Sequence, residues 1–205
     1  LVRRIARRLA RFHNEAATGP GVDEYGSPAA VRANWEENFA QVSPFVGRTV
    51  AAAANEVIQA YVGDFLRREE GRLKQQVASG RIRDGHGDLH AGSICMEDHR
   101  LQLFDCLQVN ARLRCADVAA DVAFLAMDLD HWGRADLADA FVAAYVAASG
   151  DDGLRAVLNF YKCYRAYVRG KVLSLRLAQR GLSSEQEAVL AEEARAYFDL
   201  AWAYA

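Results

Sequence analysis

Apolar residues recur along most of the chain at the three- and four-residue spacing of amphipathic helices. At the start, Leu1, Ile5, Leu9 and Phe12 fall on one stripe of a helix predicted over residues 1–15. The basic residues between them are also typical of a transit peptide, but the apolar stripe favours a helix packed inside a domain. Since the first residue is not Met, we expect the chain to be a fragment of a longer protein.

Further helices are predicted on both sides of a central segment. A loop at 16–26 precedes a helix that Ser27 caps, that Pro28 begins and that extends to about Ala40. A longer helical pattern follows, in which Gly63 is a candidate break. The helical patterns after Ala40 cover residues 48–79, 117–127, 135–149, 154–180 and 183–205.

The central segment, residues 81–109, has a different pattern. It is too rich in glycine for a helix, and its short apolar runs "SICM" and "LQLFD" flank the polar turn "EDHR". Two apolar runs around such a turn predict a β-hairpin. We therefore predict one mainly α domain with a small β-hairpin, an α+β fold over residues 1–205, whose unusual residues lie at 84–108.

Composition narrows the classes of function. Hydrophobic residues make up 52% of the chain, which supports a sizeable core, and the net charge of −2 gives no reason to expect a nucleic-acid partner. No run of apolar residues is long enough for a membrane span. The four cysteines form no C-x-x-C pair, which favours reduced thiols in a cytoplasmic protein.

The stretch "DGHGDLH" leaves three kinds of chemistry open. His86, Asp88 and His90 alternate, so on an extended strand they could share one metal ion in a metal-dependent hydrolase. Asp and His beside glycines can also simply stabilise a tight turn. Phosphoryl transfer instead needs a carboxylate base and oxygen ligands for Mg²⁺, and Asp88, Ser93 and Asp105 have the spacing for these roles in kinases.

The motif "HGDLHAGSI" followed by "LFD" resembles the "HGDLHxGN…xxD" signature of aminoglycoside phosphotransferase and choline kinase-like enzymes, which are relatives of protein kinases. "ADVAADVAFLAMDLD" resembles the helix that follows in that family. "FYKCYRAYVRGKV" resembles a helix of an uncharacterised bacterial subgroup, some members of which are fused to a P-loop kinase-like domain. The resemblance covers about residues 1–180, is most specific over 84–128, and implies the C-terminal lobe of a protein kinase-like fold.

The resemblance also implies roles for individual residues, with ATP as co-substrate and Mg²⁺ as cofactor. Asp88 would be the catalytic base, and Asp105 would bind Mg²⁺ beside the nucleotide. His86 would brace the catalytic loop, with His90 as further structural support. Asp121 would hold the loop backbone from the helix behind it, although an Asp here could also merely cap that helix.

Two positions depart from the family. Ser93 stands where the family has an Asn that contacts the metal and nucleotide, and Gln108 stands where relatives often have an acidic residue. No glycine-rich strand–loop–strand precedes residue 80 and no P-loop motif occurs, so we expect the N-terminal lobe to be missing and this fragment alone to be inactive. The complete enzyme would phosphorylate a small-molecule hydroxyl acceptor; the alternative is a non-catalytic pseudokinase or scaffold lobe.

Charged residues downstream allow two interpretations each. Lys162, Arg165 and Arg169 share one helix face, which could receive an anionic substrate or form a solvated surface. Asp128 and Asp130 could bind a polycationic substrate such as an aminoglycoside, or could lie in a surface turn.

Overall fold

A computed structural model of the protein describes residues 1–98, 100–108, 110–179 and 181–205. The described residues form a mainly helical domain with two small antiparallel sheets, so the predicted α+β class is confirmed. None of the helices formed by these residues has the length and apolarity to cross a membrane. In chain order the helices are α1 (Val2–Glu15), α2 (Pro20–Asp23), α3 (Pro28–Val42), α4 (Ala52–Arg68), α5 (Glu70–Ala78), α6 (Ala111–Arg114), α7 (Val118–His131), α8 (Ala135–Ser149), α9 (Leu154–Leu177) and α10 (Ser184–Tyr204). The strands are β1 (Ile82–Asp84), β2 (Ile94–Glu97), β3 (Arg100–Leu103) and β4 (Cys115–Asp117).

Helix α7 forms the centre of the core. Every residue from Val118 to Asp128 is buried, as expected for a helix that is apolar on nearly all sides. It packs against α8 and α9, while α9 packs against α10 and α1 packs against α8. The only charged residues in this buried stretch, Asp121 and Asp128, therefore need partners inside the protein.

Most predicted helices are confirmed, and their differences from the prediction are local. Helix α3 begins at Pro28, and the Ser27 hydroxyl accepts a hydrogen bond from the Ala30 amide at 3.2 Å. The predicted loop at 16–26 includes the short helix α2. The long pattern over 48–79 breaks between α4 and α5 at Glu69, where the backbone leaves helical angles, whereas Gly63 lies inside α4.

The predicted hairpin is confirmed as β2 and β3, with Ile94 opposite Leu103. The predicted turn "EDHR" includes His99, which lies outside the described residues, as does Arg180 at the predicted end of the helix over 154–180. The prediction of a single hairpin was incomplete, because β1 and β4 form a second antiparallel pair. Asp117 ends β4 and caps α7 by accepting a hydrogen bond from the Ala119 amide at 2.9 Å.

Candidate active site

The loop between β1 and β2, residues 85–93, lies directly against α7. A Cβ atom at Gly85 would lie 2.7 Å from Asp121 Oδ2, and Gly87 has a φ of +79°. A larger residue at Gly85 would collide with the carboxylate, and an L-residue at Gly87 would be strained. These two glycines therefore allow the loop backbone to approach the helix.

Asp121 binds this loop through both carboxylate oxygens. Its Oδ2 accepts a hydrogen bond from the His86 amide at 2.7 Å, and its Oδ1 accepts one from the Gly87 amide at 2.9 Å. On the other side, His13 Nε2 lies 3.2 Å from Oδ2. Burial raises the pKa of Asp121, but the hydrogen bond and charge of His13, the Arg165 guanidinium and the His86 amide outweigh burial and lower this pKa to about 2. The carboxylate is therefore ionised at neutral pH.

Arg165 holds the same loop from α9. Its Nη1 donates to the Gly87 carbonyl at 2.9 Å, its Nε donates to the Ala120 carbonyl at 3.1 Å, and its guanidinium lies 4.9 Å from the centre of the Phe124 ring. Arg165 is only 6% exposed, so a solvated surface is the wrong interpretation for this residue. The backbone at Gly87 is thus fixed through its N–H by Asp121 and through its carbonyl by Arg165.

Asp128 fixes the far end of the loop. Its Oδ2 accepts a hydrogen bond from the Ala91 amide at 2.8 Å, and the residue is buried. It follows Asp121 by two helical turns, so both carboxylates face the loop. Both sequence interpretations of Asp128, a substrate ligand and a surface turn, are therefore wrong. Asp130 is also occupied, because it accepts a hydrogen bond from Tyr204 and pairs with Lys162.

His86 joins the loop to the segment that leaves the hairpin. Its Nε2 donates to the Phe104 carbonyl at 2.9 Å, and its Nδ1 accepts a long hydrogen bond of 3.4 Å from the Asp88 amide. This pattern requires the neutral tautomer with the proton on Nε2. The His86 carbonyl also accepts a hydrogen bond from the Leu107 amide at 3.0 Å. Asp105 lies between these two anchor points, next to the loop.

Arg114 also fixes this exit segment, residues 104–108. It donates to the carbonyls of Leu107 at 2.8 Å and Gln108 at 3.1 Å, and it pairs with Asp84 at the end of β1. Gln108 thus contributes its backbone to this contact. Arg114 and His86 together hold residues 104–108 against the loop.

In this arrangement the acidic side chains of Asp88 and Asp105 remain accessible to a ligand. The Asp88 side chain is 36% exposed, and His90 Nε2 lies 3.8 Å from its carboxylate. Asp105 is exposed and has a φ of +63°, a strained conformation that clusters at functional sites. Within the described part of the chain, neither carboxylate accepts a hydrogen bond. Both are therefore available to a ligand or a hard cation.

Ser93 and His90 hydrogen-bond within the loop. Ser93 is 2% exposed; its hydroxyl accepts a hydrogen bond from the His90 amide at 3.0 Å and lies 2.8 Å from the His90 carbonyl, to which it can donate. His90 Nδ1 accepts a hydrogen bond from the Gly92 amide at 3.1 Å. The predicted contact of Ser93 with Mg²⁺ stays a prediction, and it would require these hydrogen bonds to be exchanged.

The hydrolase alternative needs His86, Asp88 and His90 to converge on one ion. Among residues 1–98, 100–108, 110–179 and 181–205, no group of three His, Cys, Asp or Glu side chains is arranged to hold a metal. Both ring nitrogens of His86 are occupied by backbone groups. The structure therefore does not support the metal-dependent hydrolase.

A cavity of about 490 Å³ opens beside the loop, between α3 and α9. Asp88 and Gly87 line it at the loop, Phe124 and Phe160 line its apolar wall, and Lys171 lines it on α9. This volume and this mixture of aromatic and polar groups are typical of a small-molecule site. Asp88 is thus the acidic group at which the loop meets the cavity.

Comparisons with known proteins agree with these features. The model of a family described as "Phosphotransferase enzyme family" matches residues 1–158, which confirms the resemblance predicted from the sequence motifs. Uncharacterized proteins of Mycobacterium bovis and of two strains of Mycobacterium tuberculosis are each 38% identical to this chain over 185 residues, or 90% of its length. The chain spans 37% of the length of these relatives. No solved structure matches it.

Proposed function

Because the chain belongs to the phosphotransferase enzyme family, we propose that it is the catalytic-loop part of an ATP- and Mg²⁺-dependent kinase for a small-molecule hydroxyl. Its fold would correspond to the C-terminal lobe of a protein kinase-like enzyme. The observation that carries this proposal is the position of Asp88. Its carboxylate lies at the edge of the cavity of about 490 Å³, on a loop held by Asp121, Arg165 and Asp128.

Asp88 would act as the general base. As the acceptor hydroxyl oxygen attacks the γ-phosphorus of ATP, its proton passes to the Asp88 carboxylate, and ADP leaves with the electrons of the broken P–O bond. The acceptor must lie within hydrogen-bond distance of Asp88, so the loop has to be rigid. The buried hydrogen bonds of Asp121 and Arg165 supply that rigidity before any ligand binds.

Asp105 would hold Mg²⁺. It provides hard oxygen ligands on an exposed side chain that has no partner among the described residues, and a magnesium site needs such ligands. Mg²⁺ bound there would neutralise negative charge on the nucleotide phosphates. His86 would set the position of Asp105 relative to Asp88 because it contacts both segments.

One observation favours the second candidate, a non-catalytic pseudokinase or scaffold lobe. The Ser93 hydroxyl is hydrogen-bonded inside the loop, although the family uses an Asn here to contact the metal. A kinase that lacks this contact would depend on Asp105 alone among the predicted metal ligands. The two candidates therefore differ in whether Mg²⁺-ATP binds and reacts.

The test uses the complete natural protein that contains this chain. Mg²⁺-ATP binding is measured by calorimetry, and ADP formation is measured with a panel of small hydroxyl compounds. We expect Asp88→Asn to lower kcat by about 10²- to 10⁴-fold while leaving ATP affinity unchanged. Asp105→Asn should weaken Mg²⁺-ATP binding, and Asp152→Asn, a change at an exposed position, should alter neither.

Two results would decide against this kinase. If Asp88→Asn turned over the acceptor at the wild-type rate, Asp88 would not be the general base. Failure of the wild-type protein to bind ATP at any Mg²⁺ concentration would favour the scaffold.

A further inference from the structure

The cavity beside Asp88 has a cationic end that the proposed phosphoryl transfer does not explain. Lys171 lines the cavity, is partly buried, and donates a hydrogen bond to Asn38 Oδ1 at 2.6 Å. No carboxylate in the portion of the chain that the structure describes lies within ion-pair distance of its ammonium group. An ammonium group has three N–H donors, and this arrangement uses only one of them.

Asn38 adds an unpaired donor at the same place. The residue lines the cavity and is 3% exposed, and within the described residues its Nδ2 has no hydrogen-bond partner. The orientation of the amide is set by Lys171, because an ammonium group only donates and must face the oxygen. A buried donor without an acceptor destabilises the fold, because it has lost its hydrogen bonds to water. An acceptor on a bound ligand would remove this destabilisation.

The other charges around the cavity neutralise this end only in part. Arg112 pairs with Glu37 and donates to Asn34 Oδ1 at 2.8 Å, so these two opposite charges offset each other. Arg169 lies over the Tyr197 ring, and no carboxylate of the described ranges pairs with it. The cavity therefore carries uncompensated positive charge on α9.

Burial also affects Lys171 directly. Loss of water around the ammonium group lowers the pKa of Lys171, while the nearby Glu37 partly opposes this shift. A desolvated cation is stabilised more by an anion than an exposed cation is, because the local dielectric constant is lower. Lys171 is therefore better suited to an anionic ligand than the solvent-exposed Lys74.

We propose that the acceptor is an aromatic or cyclic hydroxy acid, whose carboxylate binds Lys171 and Asn38 Nδ2 while its hydroxyl reaches Asp88. The assignment of the acceptor hydroxyl to Asp88 rests on the proposed function, whereas the carboxylate site at Lys171 and Asn38 does not. The cavity lining also contains the more accessible side chains of Tyr164, Val168 and Val172, which suit a flat apolar ring. A polycation such as an aminoglycoside would meet the uncompensated charge and be rejected.

The test compares two probes of nearly identical shape. They are 4-(hydroxymethyl)benzoate and its neutral amide, 4-(hydroxymethyl)benzamide, titrated without ATP into the complete natural protein and followed by ligand-observed NMR. We expect the carboxylate to bind about tenfold more tightly than the amide, a difference equivalent to about 1.4 kcal/mol. Kanamycin should not compete with it.

Variants locate the anion site. Lys171→Gln should reduce the tenfold preference to about twofold or less, and Lys171→Arg should retain most of it, as estimated from the contribution of one charge-assisted hydrogen bond. Lys74→Gln is the matched control, because Lys74 is exposed and pairs with Glu70. Thermal unfolding of each variant shows whether it is folded. The preference of the wild type for the carboxylate probe over the amide probe should also fall with added salt, because salt screens the charge of Lys171.

Three results would overturn the proposal. They are equal affinity for the two probes, absence of saturable carboxylate binding, and tighter binding of kanamycin. Failure of the kinase itself is distinguishable: a protein that binds the carboxylate but transfers no phosphate overturns the proposed function and leaves the anion site intact. A protein that phosphorylates only neutral or cationic acceptors overturns the hydroxy acid and leaves the kinase intact.

Discussion

Replacing Asp121 by Asn tests whether one buried carboxylate holds the candidate catalytic loop. The change preserves size but removes the charge and one hydrogen-bond acceptor. In the wild type, the two carboxylate oxygens accept hydrogen bonds from the amides of His86 and Gly87. An Asn side chain has one oxygen and one NH₂ group, so one of these buried amides would face another donor.

The hydrogen bonds and the pKa of Asp121 both indicate the magnitude of this effect. A hydrogen bond to a charged group contributes about 1.5–3 kcal/mol, and an unsatisfied buried amide costs about 1–3 kcal/mol. In addition, the pKa of Asp121 is lowered from 3.8 to about 2, which corresponds to a stabilisation on the order of 2–3 kcal/mol. We therefore expect Asp121→Asn to reduce the free energy of unfolding by about 3 kcal/mol at neutral pH.

The pH dependence has a definite sign. Since the pKa of Asp121 is lower in the folded protein than in the unfolded chain, the ionised carboxylate stabilises the fold above pH 4. This stabilisation is lost as the pH falls from about 4 towards 2, where the carboxylate becomes protonated. The difference in stability between the wild type and Asp121→Asn should therefore narrow on acidification.

Urea unfolding followed by tryptophan fluorescence measures the free energy of unfolding and its change with pH, because Trp35 is 1% exposed and reports on the core. Asp152→Asn is the control, since Asp152 is exposed and should change stability by less than about 0.5 kcal/mol. A difference below about 0.5 kcal/mol for Asp121→Asn at pH 7 would refute the reasoning. So would a larger difference that stays constant between pH 6 and pH 3.

Two further substitutions test a contact of the loop and the cap of α3. Arg165→Met should lower the free energy of unfolding by about 2–4 kcal/mol, because it leaves the buried Gly87 carbonyl without its donor. The control Arg155→Met, at an exposed position of the same helix, should lower it by less than about 0.5 kcal/mol. Equal effects of the two substitutions in urea unfolding would contradict the bracing role of Arg165. Ser27→Ala should lower the free energy of unfolding by about 1 kcal/mol, because the Ala30 amide loses its cap, and Ser27→Gly should lower it by only a few tenths of that. If thermal unfolding ranked the two variants in the opposite order, capping would not be the cause.

The sequence by itself determined most of the helices, the hairpin and the family. Hydrophobic periodicity and capping residues act over a few positions, so α1, the start of α3 and the pairing of β2 with β3 could be inferred locally. The motif "HGDLHAGSI" with "LFD" likewise indicated the family that residues 1–158 match, because its residues lie close together in sequence. The second sheet was missed, because β1 and β4 are short strands that form only by pairing with each other across a long separation in sequence.

Only the tertiary structure decided which charged residues serve the loop. Periodicity shows which face of a helix is buried, but it does not show which distant backbone groups meet a polar residue on that face. Asp128 and Arg165 therefore had two interpretations each until packing brought them to the Ala91 amide and the Gly87 carbonyl. The unpaired amide of Asn38 beside Lys171 is likewise a property of two helices in contact, because neither α3 nor α9 alone creates a buried donor that lacks a partner.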